Sequence, residues 1–359
     1  MSLEQTLTST LGSFRARRIE PEWERLDRPE GARFGALWGG LRDLGITSLG
    51  LPESRSGVEL DPASRFAIVS RLGAALPSLA FALVAHATAL ALLDEATASA
   101  WPAPLDALLD GAPLALAGSP LDAEPHGTFE LVSNGKAVLS GSGRVALAHT
   151  DWILVPALDS ARPRLCVVRL DAPGVRFVQR PSSHGLRLIR FGELTIDGAE
   201  VAAHAVLPWP ESGFAAHEAD GLVTALLAGM AEELAQCAAA YAVMRRQGGK
   251  TIHEHDAVQQ LVGPIEFAAR PLRALAFDAL SRRARGDAGA AAFAVQTVRS
   301  AALDAIQTLG GYGYMEDYRV ERYLRDANTI ETFWVHAASR QRAIARARFA
   351  RTVGAEGAR

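Results

Sequence analysis

Two switches of hydrophobic period along the 359 residues predict an α+β fold: a helical domain over 1–112, an antiparallel β-domain over 113–208 and a four-helix bundle over 209–359. Up to about Ala112, apolar residues recur every three or four positions. Near Gly111 they become short runs of Val, Ile, Leu and Phe between turn residues, and after Trp209-Pro210 the helical spacing returns. A chain of this length exceeds what one core serves, so several packed units are expected.

In the first unit Phe34, Leu37, Trp38, Leu41 and Leu44 follow helical spacing, and Gly45 is placed to end that helix as a C-cap. A turn-rich stretch follows Leu51, and Asp61-Pro62 is positioned to cap and open the next helix, Pro62 to Gly73. The most apolar run, Leu79 to Leu93, holds His86 and ends at Asp94 and Glu95. At about 15 residues it is too short to span a bilayer and is expected to be a buried helix.

The β-domain is predicted from Phe129–Ser133, Lys136–Ser140, Trp152–Ala157, Leu165–Leu170, Val175–Gln179 and Leu194–Asp197. Asn134-Gly135 between the first two is a type I′ hairpin signal. In the last unit Leu222, Leu226, Met230, Leu234, Cys237, Tyr241 and Met244 line one helix face, and further helical patterns cover 256–284, 288–309 and 330–351. Pro264 and Pro271 are expected to kink or divide the second of these helices.

Composition narrows the function classes. The chain is 49% hydrophobic and 21% charged, with a net charge of −3 and bases interspersed with acids. That pattern offers nothing to nucleic acid or to an anionic membrane. Cys166 and Cys237 are the only cysteines and lie far apart, so no disulfide framework or zinc site is expected and a reducing cytoplasm fits. The start, M-S-L-E-Q-T, has neither the basic nor the apolar region of a secretory signal.

The most informative stretch runs from Gln307 to Ala327 and reads Q-T-L-G-G-Y-G-Y-M-E-D-Y-R-V-E-R-Y-L-R-D-A. Gly310, Gly311 and Gly313 crowd a turn between helical patterns; they serve either as a plain helix–helix turn or as a place where another group approaches the main chain. The whole string resembles the C-terminal signature of the acyl-CoA dehydrogenase family, in which Q-x-L-G-G-x-G is followed by an acidic and aromatic stretch, V-E-R and R-D-A. The order L-x-x-L-G-I, then L-P-E and a Gly-containing loop, is similar to that family's N-terminal helical domain. The resemblance implies an FAD-dependent α,β-desaturation of an acyl-CoA or related thioester, with an electron acceptor that the sequence does not name. It also implies at least a homodimer or homotetramer, because in the family the FAD site is shared between subunits.

Carried over by position, the resemblance assigns the cofactor phosphates to Arg245 in R-R-Q-G-G-K, where the family's R-x-x-F-G has Phe at the place of Gly248. It sets Gln307, Gly310 and Gly311 against a partner subunit's FAD. A guanidinium suits a diphosphate because it donates paired, charge-assisted hydrogen bonds. As a residue read by itself, Arg245 is equally a solvated charge at a helix end.

Three family motifs are altered. The T-E-P-G-x-G-S-D strand end becomes A-L-A-G-S-P-L-D, Ala115 to Asp122, where Ser119 is the candidate substitute hydroxyl. The W-I-T or W-I-S motif becomes part of Gly141 to Trp152, without Trp-x-Thr. The usual Glu base falls on Trp334 or Val335, neither of which takes a proton, and His336 is the nearest titratable residue. Glu331 lies a turn too early and reads as an ion-pairing residue. Some family members carry the base on the first helix of the C-terminal domain, where Glu218 and Asp220 flank the equivalent Ala219. Acids at a helix N-terminus are also common without any catalytic role. Three functions are therefore expected: a desaturase using Glu218 or Asp220, a catalytically degenerate subunit of a hetero-oligomeric enzyme, or a flavin monooxygenase on the same fold assisted by His336.

Overall fold

The computed structural model describes residues 3–28, 31–49, 51–55, 57, 60–97, 108, 111–121, 129–180, 183–210, 213–281 and 289–356. Helices α1 (Leu3–Phe14), α2 (Gly31–Asp43), α3 (Pro62–Ala75) and α4 (Pro77–Ala96) come first. Gly45 follows α2 at φ 71° and its N–H returns to the Arg42 carbonyl at 2.8 Å. Asp61 caps α3 by accepting from the Ser64 N–H at 2.9 Å, with Pro62 opening the helix. Helix α4 is apolar all round and correspondingly buried, Phe81 and His86 included. It and the first bundle helix are long and apolar enough to cross a membrane, yet 89% and 78% of their apolar windows are buried inside the fold.

The β-domain comprises β1 (Leu114–Leu116), β2 (Phe129–Asn134), β3 (Lys136–Leu147), β4 (Trp152–Asp159), β5 (Arg162–Arg169), β6 (Val175–Gln179), β7 (Arg190–Val201) and β8 (Val206–Pro208). Their order is β6-β7-β3-β2-β4-β5-β8, with β1 also on β4. Most pairings are antiparallel, but β1 and β2 both run parallel to β4, so the sheet is mixed. The three-residue β1 and β8 are too short to show an alternation, which is why the sequence does not announce them. Only Gly135 of the Asn134-Gly135 pair has positive φ, so this turn is not the expected type I′, which needs it at both central residues.

The C-terminal unit holds α5 (Phe214–Met244), a small hairpin of β9 (Arg246–Gln247) and β10 (Lys250–Thr251), then α6 (Asp256–Ser281), α7 (Ala290–Leu309), α8 (Val320–Ile330) and α9 (Ala337–Glu356). Helix α6 is not divided: Pro264 and Pro271 lie within one helix, Pro264 on its exposed side, where the carbonyl it leaves unbonded is not forced into the core. The helix expected over 330–351 is broken by a π-turn, Glu331–Val335, and by His336 at φ 47°. Helices α3 and α5 cross at closest approach through glycines. A Cβ on Gly229 would fall 1.8 Å from the Ser70 carbonyl oxygen, and one on Gly73 2.4 Å from that of Leu226.

The V-E-R…R-D-A signature fastens the three units together. Arg322 donates to the Trp23 and Leu26 carbonyls at 2.9 and 3.2 Å, and Arg325 reaches Asp27 at 2.8 Å and Glu321 at 2.6 Å. On the opposite side Asp326 accepts from the Leu186 N–H of the β-domain at 2.5 Å, and Thr329 accepts from Gly185 N–H at 2.9 Å. Arg15 forks onto Glu233 of α5 at 2.7 and 2.6 Å, and Glu20 pairs with Arg319. Breaking a buried ion pair on one side costs several kcal/mol, typically about 3–5.

Candidate functional site

Helix α5 ends at Arg245, whose backbone turns out of helix and whose N–H caps the Tyr241 carbonyl at 2.9 Å. Its guanidinium lies over the Tyr312 ring, 5.8 Å from the centroid. Tyr312 belongs to the 3-10 turn Gly310–Tyr314 that ends α7 and is backed by Tyr318 at 5.3 Å and Tyr241 at 6.3 Å. Together they bound a cavity of about 800 Å³ whose lining also includes Gln307, Gly310, Gly311, Gly248 and His255. All four residues expected to meet a cofactor, Arg245, Gln307, Gly310 and Gly311, thus share one cavity.

The glycines divide their work. Gly310 has φ 61° and ψ −134°, a backbone state that side chains resist, and a Cβ on it or on Gly311 would meet nothing within 4 Å. Gly313 packs back on the end of α7 instead, where a Cβ would fall 2.5 Å from the Ile306 carbonyl oxygen. The turn therefore ends α7 and leaves open space beside Gly310 and Gly311. Tyr312, Tyr241 and His255 were not legible as lining residues; the R-R-Q-G-G-K hairpin next to Arg245 was the one available signal.

The proposed bases have other partners. Glu218 is 2% exposed, and both its oxygens accept from Arg65 Nη1 at 2.5 Å. Burial pushes its carboxyl up from the ordinary range, and Arg65 pulls it back. Asp220 accepts from the N–H groups of Gly289, Ala290 and Ala291 at 3.2, 3.1 and 3.0 Å, so it caps α7 from outside the helix. Burial raises this carboxyl too, against the pull of those donors. The oxygens of Glu218 are thus engaged by Arg65 and those of Asp220 by the start of α7, and neither residue lines the Arg245 cavity.

At the usual base position Trp334 is 1% exposed, meets Phe81 edge-on at 4.9 Å, and gives its carbonyl to the Ser119 hydroxyl at 2.6 Å. Phe191 lies 6.5 Å from Phe81 and 4.8 Å from Phe333, which extends the aromatic packing. Ser119 is buried and occupied by this contact, so it does not serve as a free hydroxyl; Asp122 lies outside the described residues. Val145, Ala146 and Leu147 bury apolar side chains on β3 where the altered motif runs. His336 is the hinge between the π-turn and α9: its N–H donates to the Glu331 carbonyl, and its own carbonyl accepts from Ser339 and Arg340. It does not line the Arg245 cavity. Glu331 accepts from the Ala337 N–H at 3.2 Å in place of the expected ion pair, and its second oxygen and the Trp334 indole N–H are buried without partners.

Known proteins resemble this chain at both ends. The family model described as acyl-CoA dehydrogenase, N-terminal domain, matches residues 2–100, and that for the acyl-CoA dehydrogenase C-terminal domain matches 218–334. Neither reaches 101–217, the stretch that carries the altered β-domain motifs. An acyl-CoA dehydrogenase of Bacillus subtilis is 30% identical over 245 residues, 58% of this chain and 62% of that relative. A cyclohexane-1-carbonyl-CoA dehydrogenase of Geobacter metallireducens is 28% identical over 217 residues, covering 57% of each. The chain thus matches somewhat less than two thirds of these relatives' lengths. Butyryl-CoA dehydrogenase from Megasphaera elsdenii has the same fold, with a TM-score of 0.77 at 20% identity over 92% of this chain and 94% of that one. The ChsE4-ChsE5 complex of Mycobacterium tuberculosis gives 0.79 at 24% identity over 96% and 97%. Helical domain, β-domain, helical bundle and both matched halves lead to one assignment: the chain belongs to the acyl-CoA dehydrogenase family.

Proposed function

We propose that this chain is a subunit of an FAD-dependent acyl-CoA dehydrogenase that cradles the nucleotide end of the cofactor and leaves proton removal from the thioester to a second, different chain. One observation carries the proposal: both residues on which the family's base falls, Trp334 and Val335, are buried and take no proton, and Trp334 is packed against Phe81 and bonded to Ser119. A positioned general base contributes typically ~10²–10⁴ in rate, so its replacement by a side chain that takes no proton bears on the chemical step itself.

The two ends of the implied cofactor fare differently. The Arg245 cavity fits a diphosphate: it has a guanidinium, bare glycine backbone and room. Bound FAD would accept a hydride in such an enzyme; here Arg245 would orient the phosphates, and Gly310 and Gly311 would let them approach the main chain. The flavin-ring end does not fit, since Val145 and Leu147 offer no hydroxyl or indole and Ser119 is engaged.

An active desaturase is favoured by one feature, the unpartnered buried oxygen of Glu331 beside the π-turn. Visible spectra of the purified chain with added FAD, followed by acyl-CoA addition, separate the two. A non-catalytic subunit shows no flavin bleaching with any thioester. A yellow protein bleached by one acyl-CoA would overturn the proposal and direct mutation to Glu331.

A further inference from the structure

Between β6 and β7, residues 183–189 lie as a strap across α8. Leu186 is buried there at φ 51°, a left-handed state that an L side chain resists. Two backbone donors hold it down: Gly185 N–H on the Thr329 hydroxyl at 2.9 Å and Leu186 N–H on Asp326 Oδ1 at 2.5 Å. Asp326 is 0% exposed, and its second oxygen has no hydrogen-bond donor. Arg322 Nε, also buried without a hydrogen bond, stands between Asp326 at 4.0 Å and Asp27 at 3.6 Å, the rest of its guanidinium being occupied by the Trp23 and Leu26 carbonyls. Asp27 also takes Arg325 and Arg187 at 2.8 and 3.2 Å. From the neighbouring helices, Arg299 of α7 is held by Asn328 at 2.7 Å and Glu233 of α5 by Arg15, while His184 on the strap faces Arg325 and Arg187. An ionised Asp326 thus exchanges its hydration for one N–H and an arginine out of bonding reach.

We propose that Asp326 is a proton-operated clasp on the strap: docking of residues 183–189 on α8 takes up a proton at this carboxyl, so the strap is tight in mild acid and loosens toward neutral pH. Burial pushes the Asp326 pKa up to about 6, against the pull of Arg322 and the Leu186 N–H. In water the same group ionises near 4. Because the docked value is the higher, the contribution is complete below about 4 and is lost as the pH rises through about 6. Lifting the strap should therefore be about tenfold more favourable at pH 7 than at pH 5. His184 acts in the opposite sense: burial and the two arginines lower its pKa, so its charging in acid opposes docking.

Hydrogen exchange of the full chain at pH 5 and pH 7, read on peptides spanning the strap and corrected for intrinsic rates, tests this. Wild-type protection of the strap is expected to fall about tenfold from the lower to the higher pH, while the β4–β5 ladder keeps its own. Asp326→Asn leaves an oxygen for the Leu186 N–H but cannot titrate, so its strap protection should be equal at both. His184→Gln, at an exposed position, should keep the fall or deepen it. Wild-type protection that is flat or rises with pH, or that falls equally in the β4–β5 ladder, overturns the proposal. So does a fall that survives in Asp326→Asn. Should that variant not fold, wild type and His184→Gln still decide: a fall lost in His184→Gln belongs to the histidine and overturns the clasp.

Discussion

The Arg245 cavity and the π-turn lie on either side of α8 in the chain, and they have opposite characters. Around Arg245 the backbone is bare, the glycines face empty space, and the aromatic rings form a floor. Around Trp334 the aromatic rings fill the interior, and the Ser119 hydroxyl is spent on the Trp334 carbonyl. A signature can therefore persist on one side of a helix hairpin while the other side is repacked into core, because each side answers to a different constraint. One must leave volume open; the other is free to fill it.

The contrast breaks most directly at Trp334. Trp334→Ala removes a buried aromatic side chain and is expected to lower stability by about 3–5 kcal/mol, measured by denaturant unfolding. A loss below about 1 kcal/mol would mean that the indole fills a space meant for something else.

A smaller effect tests the helix that closes this side. His86 on α4 donates from Nε2 to the Thr47 carbonyl and accepts at Nδ1 from the Leu114 N–H, both at 3.0 Å. Burial brings its pKa down to about 4, while the unfolded chain keeps the ordinary imidazole value of about 6.5. Because the folded value is depressed, this contribution is complete above the unfolded value and is lost as pH falls from there toward 4. Stability is expected to be lower by about 1.4 kcal/mol at pH 5.5 than at pH 7.5 from this group. The His86→Gln variant, unfolded in parallel, should lack that part of the slope.

The smallest stability effect is expected on the open side. Gly311→Val adds atoms to space where nothing lies within 4 Å, so the unfolding free energy should move by less than about 0.5 kcal/mol. ADP affinity should nevertheless fall by about tenfold or more, read by calorimetry. Unchanged affinity would show that the open volume is not the nucleotide's.

Much of this arrangement was legible. The period switches near Gly111 and Trp209 are backbone properties, and a cap such as Asp61-Pro62 is local chemistry. Arg245, Gln307, Gly310 and Gly311 were found together because one ordered motif contains most of them. The partners of Glu218 and Asp220 were not legible, since Arg65 and residues 289–291 lie 153 and about 70 positions away. The π-turn escaped for a different reason: one extra residue in a helix leaves hydrophobic spacing almost unchanged but rotates everything beyond it.

The bond between Asp27 and Arg325 joins residues 298 apart in sequence. Closing so long a loop carries a high entropic cost, and contacts of this range slow folding. On a ribosome the first helices emerge long before Arg319, Arg322 and Arg325 exist, so the polar groups of Glu20, Trp23, Leu26 and Asp27 must wait in water. The contacts of that segment with Arg319, Arg322 and Arg325 can close only after the C-terminal unit has been made, which makes these arginines a latch on completed chains.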